Sequence, residues 1–301
     1  MLQPAEPEDL LSASLQRICA DIDRMLDAVL APPGDARDRL FHAMRHAAMG
    51  GGKRLRPLLV HASAHLFGVP RFQALRAGLA VECIHVHSLI HDDLPCMDDD
   101  DLRRGKPTVH KAFDEATAVL AGDALHALAF ETLADPLTHP ESGVRCELIQ
   151  NLAIAAGGAG MAGGQMLDLL PGEVGDVNCV IRLQRLKTGA LIGWCVEAGA
   201  ALANARSSDR MSLRGYGQCL GLAFQIADDL LDANGSEAKA GKRLRKDAEA
   251  GKASFVSLLG PDRARAQAHM LVDQAADHLR PFGRDGSLLQ AIAEFAVARD
   301  H

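Results

Sequence analysis

The chain has 301 residues, 48% of them hydrophobic and 24% charged, with a net charge of −7 at neutral pH. That length buries a substantial core, the composition is that of a globular protein, and the acidic balance argues against nucleic acid as the main partner, because phosphate backbones demand a basic face. Seven cysteines (19, 83, 96, 146, 179, 195, 219) stand singly with no C-x-x-C pair, which predicts reduced thiols rather than a disulfide framework. The start MLQPAEPEDLL lacks the basic-then-apolar layout of a signal peptide, and no run of about eighteen apolar residues suggests a membrane span. A soluble, cytoplasmic protein is expected.

Helical periodicity governs the chain from its beginning. From Asp9 to Leu30, the residues Leu11, Leu15, Ile18, Ile22, Met25 and Leu26 form one apolar stripe, and Ala31-Pro32-Pro33-Gly34 ends the helix. Further helices are predicted over 37–49, 57–67, 71–94, 111–134, 144–169, 178–203, 209–232, 261–280 and 286–298. No stretch alternates with period two. The breaks are short and rich in Gly and Pro (Gly50-Gly51-Gly52, Gly68-Val69-Pro70, Pro171-Gly172), as in helical bundles. The segment 233–251 is polar, irregular and long enough to suggest function. With no repeat and no separable linker, residues 1–301 read as a single all-α domain.

Two acidic clusters carry the chemistry. His91-Asp92-Asp93-Leu94-Pro95-Cys96-Met97-Asp98-Asp99-Asp100-Asp101 places six carboxylates just after an apolar helix. Oxygen ligands suit hard cations such as magnesium. A solvated acidic loop is the competing reading, weakened by the apolar flank Cys83-Ile84 and Leu89-Ile90, which makes uncompensated charge costly. In Phe224-Gln225-Ile226-Ala227-Asp228-Asp229-Leu230-Leu231-Asp232, Asp228 and Asp232 share one helical face. Such a pair of clusters in opposite halves of the chain suggests two walls of a metal–diphosphate site. Cations follow nearby: Arg103, Arg104 and Lys106 after the first cluster, and Lys53, Arg54 and Arg56 beside Gly51-Gly52 at a helix start. Guanidinium forks and helix N-termini both favour phosphate, although surface ion pairs would account equally for the arginines taken alone.

GGKRLRP at 51–57, ECIH at 82–85, HDDLPCMDDDDLRRGKPT at 91–108, GGQMLDL at 163–169, KTGALI at 187–192 and AFQIADDLLD at 223–232 occur in that order. Over nearly the whole chain this resembles the trans-polyprenyl diphosphate synthases. The two extra residues near Pro95-Cys96 resemble the bacterial farnesyl type. The resemblance implies an isoprenoid-synthase helical bundle with a central active-site cavity. It implies magnesium-assisted, head-to-tail condensation of isopentenyl diphosphate with dimethylallyl or geranyl diphosphate to farnesyl diphosphate, with geranylgeranyl diphosphate (C20) as the alternative product. By position, Asp92, Asp93, Asp98, Asp228, Asp229 and Asp232 match the metal motifs, which would hold about three magnesium ions. Arg103, Lys187 and Lys252 match residues gripping the allylic diphosphate, with Lys242 as helper. Lys53, Arg56, His85 and Arg104 match the isopentenyl diphosphate pocket, and Thr188 and Gln225 match neutral dipoles facing the reacting carbon. Relatives tend to read K-x-T-Y/F-P near Lys252, whereas this chain reads Lys252-Ala253-Ser254-Phe255-Val256 without the proline. A homodimer is expected from the resemblance alone.

His87 and Ser88, about one turn before Asp92, are the candidates for the floor of the hydrocarbon pocket. Farnesyl synthases of bacteria commonly carry an aromatic residue at the His87 position and longer-chain relatives a small one. An imidazole implies mainly C15 product with some C20, unless His87 merely caps a neighbouring polar group. A class I terpene cyclase would share the fold but usually has a mixed second motif and does not need Lys53 and Arg56. A non-catalytic subunit should have lost motif aspartates, and all are present. A zinc site at His87/His91 or His61/His65 lacks a third ligand at suitable spacing.

Overall fold

A computed structural model describes residues 7–170, 176–234 and 254–298. Helix α1 spans Pro7–Val29, α2 Asp38–Ala48, α3 Leu55–His65 and α4 Arg71–Asp92. A short turn α5 (Val109–Ala112) precedes α6 (Glu115–Ala134), α7 (Ser142–Ala156), α8 (Met161–Leu169) and α9 (Val177–Gln184). A π-turn over Arg185–Gly189 leads into α10 (Ala190–Leu202), followed by α11 (Ser207–Asn234). After the break come α12 (Phe255–Leu259), α13 (Pro261–Leu279), a 3₁₀ segment (Arg280–Gly286) and α14 (Ser287–Val297). The chain is therefore all-α, as its periodicity implies.

The stripe read on α1 is the buried one: Ile18, Ile22 and Leu26 are fully covered. Helix α4 is buried over most of its length, as expected of a central element. It packs on α3 and α6, while α10 packs on α3, α7 and α11. Core aromatics keep their polar ends satisfied, since Trp194 Nε1 donates to the Leu148 carbonyl at 3.2 Å and the Tyr216 hydroxyl donates to the Leu289 carbonyl at 2.6 Å.

Three predicted helices are interrupted. The helix over 111–134 breaks where the Asp114 side chain accepts the Thr117 amide and starts α6 afresh. The helix over 144–169 breaks at Gly157, which ends α7, and the helix over 178–203 contains the π-turn. Helix α12 was not foreseen; Ser254 and Ser257 form its reciprocal cap. There is also a small ribbon where no strand was expected, pairing Leu102 with Pro107 and Arg103 with Lys106. Its two turn residues, Arg104 and Gly105, both have positive φ (53° and 74°), the requirement of a tight hairpin whose twist matches its strands.

A deeply buried ion pair joins the first four helices. Arg54, immediately before α3, is left-handed at φ 46° and only 2% exposed. Its Nη1 donates to Glu82 of α4 at 2.7 Å, its Nη2 donates to Asp23 of α1 at 2.7 Å, and Nη2 also donates to the carbonyl of Ala48 at the end of α2. Burial opposes the charge on Arg54, but Glu82 and Asp23 outweigh it and hold the guanidinium above its usual pKa. Removing one partner of a buried pair leaves the other uncompensated, at a cost of about 3–5 kcal/mol. Arg54→Met should therefore lower the urea midpoint strongly, and adding Glu82→Leu should recover a large part of the loss. A double variant no more stable than Arg54→Met would show that Glu82 is not the group left stranded.

Candidate active site

Asp92 is the last residue of α4, and the acidic loop folds back over it: the Asp98 amide donates to the Asp92 carbonyl at 2.9 Å and the Asp100 amide to the Asp93 carbonyl at 3.2 Å. The ribbon that follows returns Arg103 to the same place. Its Nε donates to both oxygens of Asp93 at 2.8 and 3.0 Å, and its Nη2 lies 2.6 Å from Oδ1. Burial pushes Asp92 up to about 6; Lys187 and Arg103 oppose this, and Asp98 and Asp93 add to it. Asp93 is raised as well, again by burial, against the pull of Arg103. A helix C-terminus adds its own negative end to this crowd of carboxylates.

The middle of the site is the π-turn, a form found often at functional positions. Lys187 Nζ donates to Asp168 of α8 at 2.7 Å. Burial works against charging Lys187, but Asp168 outweighs it and raises the ammonium, with Asp92 and Asp98 helping. A Cβ at Gly164 would collide with the Lys187 backbone, so only glycine lets α8 approach this closely. The next residue faces α11: the Thr188 hydroxyl donates to Gln225 Oε1 at 3.1 Å, and Gln225 Nε2 donates to Asp229 Oδ1 at 3.0 Å. The second oxygen of Asp229 accepts the Phe255 amide at 2.9 Å. The turn thus faces the first acidic cluster through Lys187 and binds the helix of the second through Thr188. Asp228 and Asp232 are partly buried on that helix.

A cavity of about 450 Å³ adjoins this region. Lys53, Arg56, His85 and Arg104, four residues the sequence grouped together, all line it, with Phe224 and Phe295 as apolar walls. Arg104 donates to the Gly51 carbonyl; burial lowers its pKa, partly opposed by Glu82. Burial pushes His85 well below its usual value and the surrounding guanidiniums, Arg56 first, do the same, disfavouring the charged imidazolium. Arg56 Nε is buried without a partner in the protein. Such a cationic recess favours an anion.

His87 and Ser88 lie on the turn above. The Ser88 hydroxyl donates to its own helix, at the His85 carbonyl, 2.8 Å away. His87 leans on α6, where it meets His126. Of the other histidine pair, His61 lies 6.4 Å from His65 between ring centroids and contacts Arg71 at 3.2 Å. Lys242 and Lys252 lie outside the described residues. Sequence reasoning missed Asp168, present in GGQMLDL but with no spacing to link it to Lys187. It missed Phe295, whose ring lies 5.4 Å from Lys53 Nζ. Arg54, named in the same cationic cluster but not among the pocket residues, is committed to the core.

Among the described residues no three His, Cys, Asp or Glu side chains close into a preformed metal cage. The donor set nevertheless fits magnesium, which takes one or two carboxylates and completes its shell with water and substrate phosphate. Raised, desolvated Asp92 and Asp93 are the groups a divalent cation would relieve.

The family model described as "Polyprenyl synthetase" matches residues 37–284. The chain belongs to the polyprenyl synthetase family. It is 42% identical to a farnesyl diphosphate synthase of Escherichia coli, over 95% of this chain and 98% of that protein. Its fold is similar to the crystal structure of an FPP/GFPP synthase from Zymomonas mobilis, with TM-score 0.88 and 54% identity over 96% of this chain and 99% of that one. It is also similar to a geranyltransferase from Helicobacter pylori complexed with magnesium and isoprenyl diphosphate, with TM-score 0.83 and 31% identity over 99% and 98% of the two chains.

The raised pKa of Asp92 carries a sign that can be checked. A carboxyl whose folded pKa lies above its unfolded value destabilises the fold when ionised, and that cost disappears as pH falls through about 6 toward 3.8. With EDTA present, Asp92→Asn should raise Tm by a few degrees at pH 8 and have little effect at pH 4. An unchanged or lower Tm at pH 8 would mean that Asp92 is adequately compensated by Lys187.

Proposed function

We propose that this protein is a prenyltransferase that joins isopentenyl diphosphate head-to-tail to dimethylallyl or geranyl diphosphate, giving farnesyl diphosphate, with the whole chain acting as one synthase unit. The observation that carries the reading is the pairing of two sites of opposite character on α4: the desolvated acidic end at Asp92, faced by Lys187, and the cationic cavity lined by His85. Each site would take one diphosphate, the allylic substrate's at the acidic end and that of isopentenyl diphosphate in the cavity, with the reacting carbons between them.

Asp92, Asp93 and Asp98 on one side, and Asp228, Asp229 and Asp232 on the other, would hold about three magnesium ions; Arg103 orients Asp93, and Gln225 with the Phe255 amide orients Asp229. Magnesium, when bound, neutralises charge on the allylic diphosphate. Lys187 and Arg103 add the protein's own cations to that leaving group, with Lys242 and Lys252 as further contributors. As the C–O bond breaks, the Thr188 hydroxyl and the Gln225 amide turn their oxygens toward the allylic cation. Lys53, Arg56, His85 and Arg104 hold isopentenyl diphosphate so that its double bond attacks that cation. The departed diphosphate accepts the proton whose loss completes the product. Water must be excluded, since it would trap the cation. The protein is read as a cytoplasmic homodimer. A longer product is the second reading, favoured by the Zymomonas mobilis relative described as an FPP/GFPP synthase.

The test is product formation from radiolabelled isopentenyl diphosphate and each allylic primer. Activity should require magnesium or manganese and vanish with EDTA, and Asp92→Ala and Asp228→Ala should each reduce turnover by orders of magnitude with helical circular dichroism intact. Substantial turnover in either variant would sink the metal assignment. The two pockets should also separate kinetically: Lys53→Ala and Arg56→Ala should raise mainly the KM for isopentenyl diphosphate. Lys187→Ala and Asp168→Asn should act mainly on the allylic substrate. Equal effects on both constants would mean that the two diphosphates are not divided in this way.

A further inference from the structure

The seam between α4 and α6 behind Asp92 is filled with rings. His87 lies edge-on to His91 at 4.5 Å between centroids and edge-on to His126 of α6 at 4.9 Å; His126 in turn lies 5.1 Å from Phe130. On α6 the contributing positions, Gly122, His126 and Phe130, follow one another at i, i+4 and i+8 and so share one face. His91 is fixed by a contact of 3.1 Å between its Nε2 and the Val119 carbonyl, and it lies over Gly122, where a Cβ would collide with its ring. His87 Nδ1 is buried without a partner in the protein, and its ring is held by ring contacts alone. Its ring is therefore clamped, with His91 on one side and His126 on the other.

Two of these rings, His87 and His126, are held toward their neutral form. Burial pushes His87 down to about 4 and also lowers His126; His91 and His126 press on His87 in the same direction, as does His91 on His126, while Asp123 opposes both shifts. Uncharged imidazoles backed by a phenyl ring make a surface that hydrocarbon can meet without desolvating a charge. His87 lies five residues before Asp92, about 7.5 Å along the helix axis, in the direction a growing tail would take.

We infer that His126 is a specificity-determining residue for product length, forming a second barrier directly behind His87. This rests on the reading that His87 closes the tail pocket. Truncating His87 removes one ring, and the next atoms the tail meets are those of His126, supported by Phe130. The floor is thus two residues deep and contributed by two helices, and neither ring alone fixes the length.

The experiment is chromatography of the products formed from isopentenyl and geranyl diphosphates with magnesium by wild type, His87→Ala, His126→Ala, the double variant, and His87→Ala carrying His126→Phe. His126→Ala alone should leave C15 as the main product, and His87→Ala should add a minor share of C20. The double variant should make C20 and longer chains its main product, exceeding the combined shifts of the single variants. His126→Phe in the His87→Ala background should return output to C15, a rescue that a purely structural role would not give. If the double variant makes no longer product than His87→Ala, or if the phenylalanine does not shorten it, His126 is not a barrier and the inference is overturned while the His87 floor stands. If His87→Ala and the double variant both leave product length unchanged, the floor reading itself falls, and the inference with it. Where His126→Ala does not fold, His126→Ser, which also removes the ring, replaces it and is judged by the same outcomes.

Discussion

A guanidinium almost without access to water constrains much of the rest. Arg54 and Glu82 are each 2% exposed, and an ion pair at that depth persists only when nearly all its hydrogen-bonding groups are used. Asp23 and the Ala48 carbonyl help to meet that demand, so α1, the end of α2, the start of α3 and the middle of α4 are fixed to one another by a single side chain. The left-handed backbone at Arg54 belongs to the same constraint. It turns the chain between Lys53 and Arg56, and both of these line the adjoining cavity. The core contact and the anion recess are therefore one piece of architecture.

Helix α4 sets the spacing between the two sites. His85, in the cationic cavity, and Asp92, at the acidic end, are seven residues apart, on the same face and about 10 Å along the axis. The electrostatics at each place are unfavourable when considered alone: burial and guanidiniums suppress charge on His85, and burial and neighbouring carboxylates suppress it on Asp92. Opposite-sign ligands would relieve both at once. A diphosphate suits the first site and a divalent cation carrying a second diphosphate suits the other, so the two conflicts are complementary halves of one binding problem.

The parts that were legible in the sequence were those with local signatures. The buried stripe of α1 follows from its period, and the four cavity residues, drawn from segments at 53–56, 85 and 104, belong together through their resemblance to a known motif order. What escaped was set by tertiary contact. Asp168 and Lys187 are partners because Gly164 allows two helices to approach closely, and no spacing in the chain encodes that. The same holds for Phe295, brought from the last helix to the ring contact with Lys53. The hairpin at 102–107 is too short to show alternation, and its turn uses an arginine where glycine or asparagine is the usual marker. The interruption at Arg185–Gly189 lies in an unbroken helical pattern, so periodicity alone reads straight through it.

That interruption has a consequence for how the site tolerates change. A π-turn holds one residue more than the α-helical turn it replaces, and each residue advances a helix by about 100°. Lys187 and Thr188 sit inside the turn, and they address different helices: one the Asp168 carboxylate, the other the Gln225 amide. Loss of any one residue from 185–189 would let α9 and α10 merge into a continuous helix with little change in the course of either, but the residues left inside the turn would be re-aimed by up to about 100°, so Lys187 and Thr188 would no longer both meet their partners. Length in this segment is thus as restrictive as chemical identity. A neighbouring loop can gain or lose a residue by shifting at the surface, but here a single deletion straightens the helix and takes from the site the local bulge that lets two adjacent side chains address two different helices.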